Sequence, residues 1–236
     1  MDLCELLNGT LKMIQPEYGE GPRVNVDTVL LAHFTRPRKN ENILEIGCAH
    51  GAISLILAKR GHSVTGIDIQ PHLIALAEEN AELNGCEVKF MTADIREYKN
   101  IAPAQSFDRI VTNPPYDEPE RVKVSPSGAL SAALHGSCCR LEDIITAAHY
   151  LLKNRGRLDI VMRANRLGEL LALLETAKTP AKKLLCVHPN PKAEASVVLI
   201  EAIRSAGTGL KVLPPLFITD GSGKNTPELE EAYIIK

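Results

Sequence analysis

The chain has no tryptophan, and aromatic residues make up only 4% of its 236 positions, so its core must be aliphatic. It has no run of 18 apolar residues and no secretory signal at its start, which argues against a membrane-spanning helix and against export. Six cysteines are present, yet none forms a C-x-x-C pair or has a histidine at metal-ligand spacing. These absences count against a zinc site and a disulfide framework, and they predict a cytoplasmic chain with reduced thiols. Internal repeats and low-complexity tracts are also missing. An excess of charge of one sign is lacking overall, at a net −2, but the halves differ. Between Leu151 and Leu213 there are 11 Lys and Arg against 5 acids, a local +6 beside −8 for the remainder. A basic C-terminal half would suit a polyanion docked on one face; ordinary solvated surface would look the same.

At this length the chain fits one large domain or a domain with a modest extension, burying roughly 70% of its unfolded surface. Residues 1–40 read as an N-terminal extension that contributes to the site, and residues 41–236 as the main domain. The extension opens with a short helical pattern, and Asp27 is placed to cap an amphipathic helix through Phe34. From Asn42 onward apolar runs alternate with helical patterns. Strands are expected at Asn42–Ile46, Ser63–Asp68, Glu87–Met91, Phe107–Val111 and Gly156–Met162. Helices are expected at Ala52–Arg60, from Pro71 to about Asn84, Leu141–Leu152 and Arg166–Ala177. This alternation predicts an α/β, Rossmann-like, doubly wound and mostly parallel seven-stranded sheet. Lys183–His188 and Ala195–Ala202, joined by a short turn, predict a C-terminal antiparallel hairpin at one edge.

The chemistry concentrates where one strand ends, at Val111-Thr112-Asn113-Pro114-Pro115-Tyr116. Asn113 precedes a proline and is pushed into extended backbone, while both prolines fix φ and bring no N–H. The result is a stiff corner offering carbonyls, one amide side chain and one aromatic face. The Asn113 side-chain oxygen and the Pro114 carbonyl can accept both N–H bonds of a planar amine, with Tyr116 stacked on the attached ring. Accepting both protons draws the lone pair out of conjugation and aims it at an electrophile. A plain strand followed by a proline turn is the competing reading, and the upstream strand ends decide between them.

Ligands of doubly wound sheets lie beyond the carboxyl ends of the strands. Glu45 and the turn Gly47-Cys48-Ala49-His50-Gly51 end the first strand, Asp68-Ile69 the second, and Asp94-Ile95 the third. A glycine turn lets backbone approach a ligand closely. Asp68 is suitably placed for both hydroxyls of a ribose. Asp94 can accept from an adenine amine while Ile95 packs on the ring. Taken singly, Glu45, Asp68 and Asp94 could equally be caps or turn residues; in register after successive strands they read as one site. The turn lacks the G-x-G-x-x-G pattern of a nicotinamide or flavin site. Glu45 would repel a pyrophosphate and attract a cation, so a sulfonium nucleoside carrying an ammonium fits: S-adenosylmethionine. Cys48, Ala49 and Ile69 complete the expected cofactor set.

On these residues the chain resembles the class I S-adenosylmethionine-dependent methyltransferases. Glu45-Ile-Gly-Cys-Ala-His-Gly51 is similar to their first motif, and Asn113-Pro-Pro-Tyr116 to the signature of those acting on planar exocyclic nitrogens. Further segments extend the likeness over nearly the whole chain: Arg23-Val-Asn-Val-Asp27, Leu141-Glu-Asp-Ile, Val187-His-Pro189, Val198-Leu-Ile-Glu201, and a tail that includes Leu213-Pro-Pro-Leu and Asp220 to Leu229. They resemble the bacterial tRNA methyltransferases that make N6-methyladenosine at position 37 of valine tRNA. The resemblance implies a tRNA partner and leaves oligomeric state open. It departs at Ala49, where the family has a glycine, and at Ala133-Leu134-His135-Gly136, where relatives usually carry Ala-Arg-His-Glu.

The expected mechanism is direct transfer to a base turned out of the anticodon loop, with Asn113, Pro114, Pro115 and Tyr116 as the catalytic corner. Arg23, Arg163, Arg166, Lys182 and Lys183 are the candidate substrate-binding cations, and residues 117–136 a candidate lid. Two alternatives stay open. One is a protein glutamine N5-methyltransferase of the release-factor type, which typically carries an added N-terminal helical domain. The other is a non-catalytic nucleotide- or RNA-binding module.

Overall fold

The computed structural model describes residues 2–17, 21–115 and 139–235. Tyr116, the candidate lid and the Ala133–Gly136 departure lie outside the described residues.

The chain opens with β1 (Asp2–Leu6) and β2 (Leu11–Gln15), an antiparallel hairpin where a short helical pattern was expected. The turn carries Asn8-Gly9, and Leu7, Asn8 and Gly9 all have positive φ. An Asn-Gly turn of that hand matches the twist of a tight hairpin. Helix α1 (Val26–Phe34) follows, capped by Asn25, whose side chain accepts from the Thr28 amide. Asp27, expected as the cap, is instead a buried residue in its first turn.

The main domain then alternates: β3 (Asn42–Ile46), α2 (Ala52–Lys59), β4 (Ser63–Asp68), α3 (Pro71–Asn84), β5 (Lys89–Thr92), a short α4 (Tyr98–Ile101) and β6 (Phe107–Thr112). After the undescribed segment come α5 (Leu141–Leu151), β7 (Leu152–Arg163), α6 (Leu167–Thr176), β8 (Ala181–His188), β9 (Val197–Ile203), β10 (Lys211–Val212), β11 (Leu216–Phe217) and α7 (Pro227–Ala232). Pro71 sits at the first turn of α3, and Gly85 closes it in the left-handed region.

The sheet has nine strands in the order β10-β8-β9-β7-β6-β3-β4-β5, with β11 also on β8. Its central seven are the expected ones, parallel except for β9, which runs antiparallel between β7 and β8. The two extra strands are two-residue pieces that pair parallel with β8, too short to announce themselves in sequence. Apolar cores cover both faces. One joins α1, α2, α3, α7 and the hairpin; the other joins α4, α5 and α6. Gly66 on β4 keeps the first face close, since a Cβ there would lie 2.7 Å from the Phe90 ring.

The hairpin is held by α3. Asn80 accepts from the Ile14 amide at 2.7 Å and donates to the Ile14 carbonyl at 2.9 Å. Asn84, one turn on, bonds Lys12 in the same way. Two side-chain amides thus stand in for a neighbouring strand along one edge of β2.

Candidate active site

Strand β3 lies between β6 and β4, so the chain winds outward to β5 and then returns to β6. That reversal opens a crevice at the carboxyl ends. Thr112 pairs with Ile46, Ile46 with Ile67, and Asp68 with Thr92. Asn113, Gly47, Asp68 and Ala93-Asp94 therefore emerge along one row. Three inter-strand steps of about 4.8 Å make that row roughly 14 Å long. The Thr112 hydroxyl donates to the Ile46 carbonyl at 3.0 Å and locks the tips of β6 and β3 together. Beyond it Asn113 is half-buried, Pro114 buried and Pro115 exposed.

The glycine turn curls over β4: the amides of Gly47 and Cys48 both donate to the Ile67 carbonyl at 2.9 Å. Gly47 has φ +70°, and a Cβ there would meet nothing within 4 Å, so open space lies above the turn. Ala49, at φ +47°, occupies a region glycine tolerates better, at a cost of about 1–2 kcal/mol. Asp68 braces the turn, one oxygen accepting from the Ala49 amide at 2.9 Å and the other from Gln70 at 3.0 Å. Each oxygen keeps a lone pair. Ile69 beside it is 37% exposed, an apolar plane next to a carboxylate. These features fit a nucleoside with a free ribose edge, and they are the residues that would hold S-adenosylmethionine.

Three expected contacts take a different form. Glu45 is 3% exposed, and its carboxyl group faces Ser54 on α2, whose amide donates at 2.7 Å and whose hydroxyl also bonds it. Burial pushes its pKa up to about 8, with the nearby Asp68 charge adding to the rise and the Ser54 bonds opposing it. It is therefore mainly protonated at neutral pH, and it anchors a helix instead of attracting a cation. Asp94 caps a single 3₁₀ turn (Ile95–Glu97) and pairs with the Arg96 guanidinium, whose bonds hold its pKa low. Ile95, expected against the ring of the ligand, is buried in the core against α4 and α5. Ile69 is the apolar side chain left at the surface.

The candidate cations separate. Arg163 ends β7 and Arg166 follows it, paired with Glu169 at 2.7 Å, so both lie at the end of the sheet that carries Asn113. Lys182 and Lys183 start β8 and lie at the opposite end. Lys183 pairs with Glu201 at 3.0 Å, and Lys182 donates to the carbonyls of Gly207 and Thr208. Strands β7 and β8 run in the same direction, so the end of one and the start of the other lie at opposite ends of the sheet, which a residue count along the chain could not show. Arg23 belongs to the hairpin side, bonded to the Pro16 carbonyl at 2.7 Å and to Asp2.

His50 had not been singled out. Its carbonyl accepts from Asn80 at 3.0 Å, while its imidazole is 3% exposed with both nitrogens unbonded among the described residues. Burial, with help from the Arg23 charge, lowers its pKa to about 4, so the ring is neutral at physiological pH. The Cys48 thiol is pushed far up by burial and stays protonated. The described residues contain no cluster able to hold a metal ion, and no helix long and apolar enough to cross a membrane.

Comparison with known proteins follows the same line. A family model described as a methyltransferase domain matches residues 37–209. A tRNA1(Val) (adenine(37)-N6)-methyltransferase from Porphyromonas gingivalis is 30% identical over 87% of this chain and 85% of its own. A putative protein N5-glutamine methyltransferase from Methanocaldococcus jannaschii is 28% identical over 69% of this chain and 87% of its own. Among solved structures, a predicted O-methyltransferase from Agrobacterium tumefaciens superposes with a TM-score of 0.71 at 21% identity, covering 89% of this chain and 98% of that one; it shares the fold. With most of its length inside the family model, the chain belongs to the methyltransferase-domain family, and S-adenosylmethionine is its methyl donor.

Proposed function

We propose that the protein methylates the exocyclic N6 of an adenine in tRNA, at an anticodon-loop position of the 37 type. The observation that carries this reading is Asn113-Pro114-Pro115 emerging from β6 one strand away from the open glycine turn of β3. S-adenosylmethionine, when bound, would supply an electrophilic sulfonium methyl, with the neutral thioether as the leaving group. The turn from Gly47 to Gly51, Asp68 and Ile69 hold its nucleoside end. Arg23 lies near enough to His50 for its charge to act on that ring, and it reaches the same turn from outside the sheet.

The Asn113 side-chain oxygen and the Pro114 carbonyl accept hydrogen bonds from the two N6 N–H groups and hold the amine in line with the methyl. Tyr116 stacks on the base, a contact worth about 1–3 kcal/mol. As the new N–C bond forms, the positive charge growing on N6 faces those two carbonyl dipoles, and a proton is lost to solvent. Positioning and fixed dipoles do the catalysis, with no strong base.

The relatives named as tRNA adenine-N6 methyltransferases, which match 77–89% of this chain, support the RNA substrate. The Methanocaldococcus jannaschii relative favours a second reading, a glutamine amide in a protein, because that nitrogen is also planar and doubly protonated. Labelled S-adenosylmethionine offered separately to total tRNA, a release factor and DNA decides between them. Label recovered as N6-methyladenosine supports the proposal; label in glutamine overturns it.

A further inference from the structure

One group of cations collects at the end of the sheet opposite the methyl-transfer site. The first residues of β3, β6, β7, β8 and β10 and the last of β9 lie together there, because β9 alone runs backwards. Lys39 precedes β3, Arg155 lies near the start of β7, and Lys178 and Lys182 flank the entry to β8. Arg204 follows β9, and Lys211 pairs in register with Lys183. From β10 to β3 is five inter-strand steps, a band roughly 24 Å wide.

The carboxylates at this end are already neutralised. Glu41, Asp159 and Glu201 are buried, and Arg109 is buried among them at 2.8 Å from Glu41 and 3.5 Å from Glu201. Arg157 and Lys183 complete a set of three cations for three anions. Asp108 is matched by Lys153 at 2.8 Å. Arg38, Lys39, Arg155, Lys178 and Lys211 are exposed and form no ion pair among the described residues. Among the described residues the Lys182 ammonium is held by the neutral carbonyls of Gly207 and Thr208. Glu175, near the end of α6, is exposed in the same turn, its carbonyl accepting from the Lys178 amide at 3.0 Å. A chain of net −2 therefore presents one strongly positive pole.

We infer that this pole is a second docking surface for the phosphodiester backbone of the RNA substrate, separate from the site that takes the target base. The inference rests on the tRNA reading proposed above. A six-residue strand separates the pole from Asn113, about 20 Å. That is less than one turn of a nucleic-acid duplex, roughly 34 Å in B-form. An RNA with a stem attached to its target loop reaches both ends; a bare loop reaches one. Contacts of this kind add affinity without sequence information and are strongly salt-dependent.

The test uses the full chain carrying Arg38→Gln, Lys39→Gln, Lys178→Gln and Lys211→Gln together, all far from the cofactor crevice. Calorimetric S-adenosylmethionine binding equal to wild type establishes that the variant is folded. Affinity for full-length tRNA is then expected to fall at least about tenfold, and the slope of log K against log salt to shrink by roughly 0.7–0.9 per lost contact. Methylation of a minimal anticodon loop is expected to be unchanged. Wild-type activity on tRNA with unchanged affinity and slope in the variant overturns this inference alone. Unchanged RNA affinity with lost binding to polyglutamate also overturns it, by assigning the pole to an acidic protein. A wild-type protein that leaves all RNA unmodified overturns the substrate reading beneath it.

Discussion

Glu45 and Asp68 stand one strand apart and do opposite things with a carboxyl group. Glu45, sealed against Ser54, is pushed up by burial to about 8 from the ordinary carboxylate value of 4.5. The native state keeps a proton that the unfolded chain has lost, so stability falls as pH rises between those values, by at most about 1.4 kcal/mol per pH unit. Glu45→Gln keeps an acceptor for Ser54 and removes that slope. Denaturant titrations across this range are expected to show the variant gaining on wild type as pH rises; parallel profiles would contradict the burial argument. Asp68 is buried and braces the turn, with one lone pair left on each oxygen. If those lone pairs take the ribose hydroxyls as proposed, Asp68→Ala removes charge-assisted bonds of about 1.5–3 kcal/mol, and calorimetry is expected to show cofactor affinity falling roughly 10–150-fold. An unchanged affinity would remove Asp68 from the site.

Single elements show where the sequence was readable. Strands β3, β4 and β6 were legible because buried parallel strands are continuous apolar runs ended by glycine or proline. The tip residues followed from that, and the structure sets them in register. The β1–β2 hairpin was missed because Leu3, Leu6, Leu7 and Leu11 mimic helical spacing. Its outer partner is Asn80 on α3, far along the chain, although Asn8-Gly9 was an available turn signal. Asn80→Ala leaves the Ile14 amide and carbonyl unpaired and is expected to cost about 1–3 kcal/mol. Hydrogen exchange at Ile14 should rise more than exchange in β3; equal changes would contradict a local anchoring role. Arg109 ties β6 to β7, β9 and the linker after α1. Arg109→Met leaves three buried carboxylates without their central cation, a loss of about 3–5 kcal/mol at neutral pH. Asp159 has its pKa raised to about 6 by burial, an effect the Arg109 charge opposes, so the penalty is expected to shrink as acid protonates it. Chemical denaturation at neutral and mildly acid pH measures this; a pH-independent loss would point to packing alone.

Over the whole molecule, two ends of one sheet divide the work. The carboxyl end gathers Gly47, Asp68 and Asn113 from strands distant in sequence, and the amino end gathers cations that the chain order had mixed with Arg163 and Arg166. The sequence count of charge was right in size and silent on direction, because each cation's end of the sheet depends on whether it starts or finishes its strand. The central claim is that the proline corner after β6 holds a flat amino group against the methyl donor. It is tested most directly by single-turnover methylation of tRNA with wild type and Asn113→Ala, alongside calorimetry of cofactor binding. The account predicts N6-methyladenosine from wild type and a rate about 10²–10³ lower in the variant, by analogy with removing one preorganised dipole, at nearly unchanged cofactor affinity. Equal losses of rate and cofactor affinity, or methyl groups recovered on another atom, would contradict it.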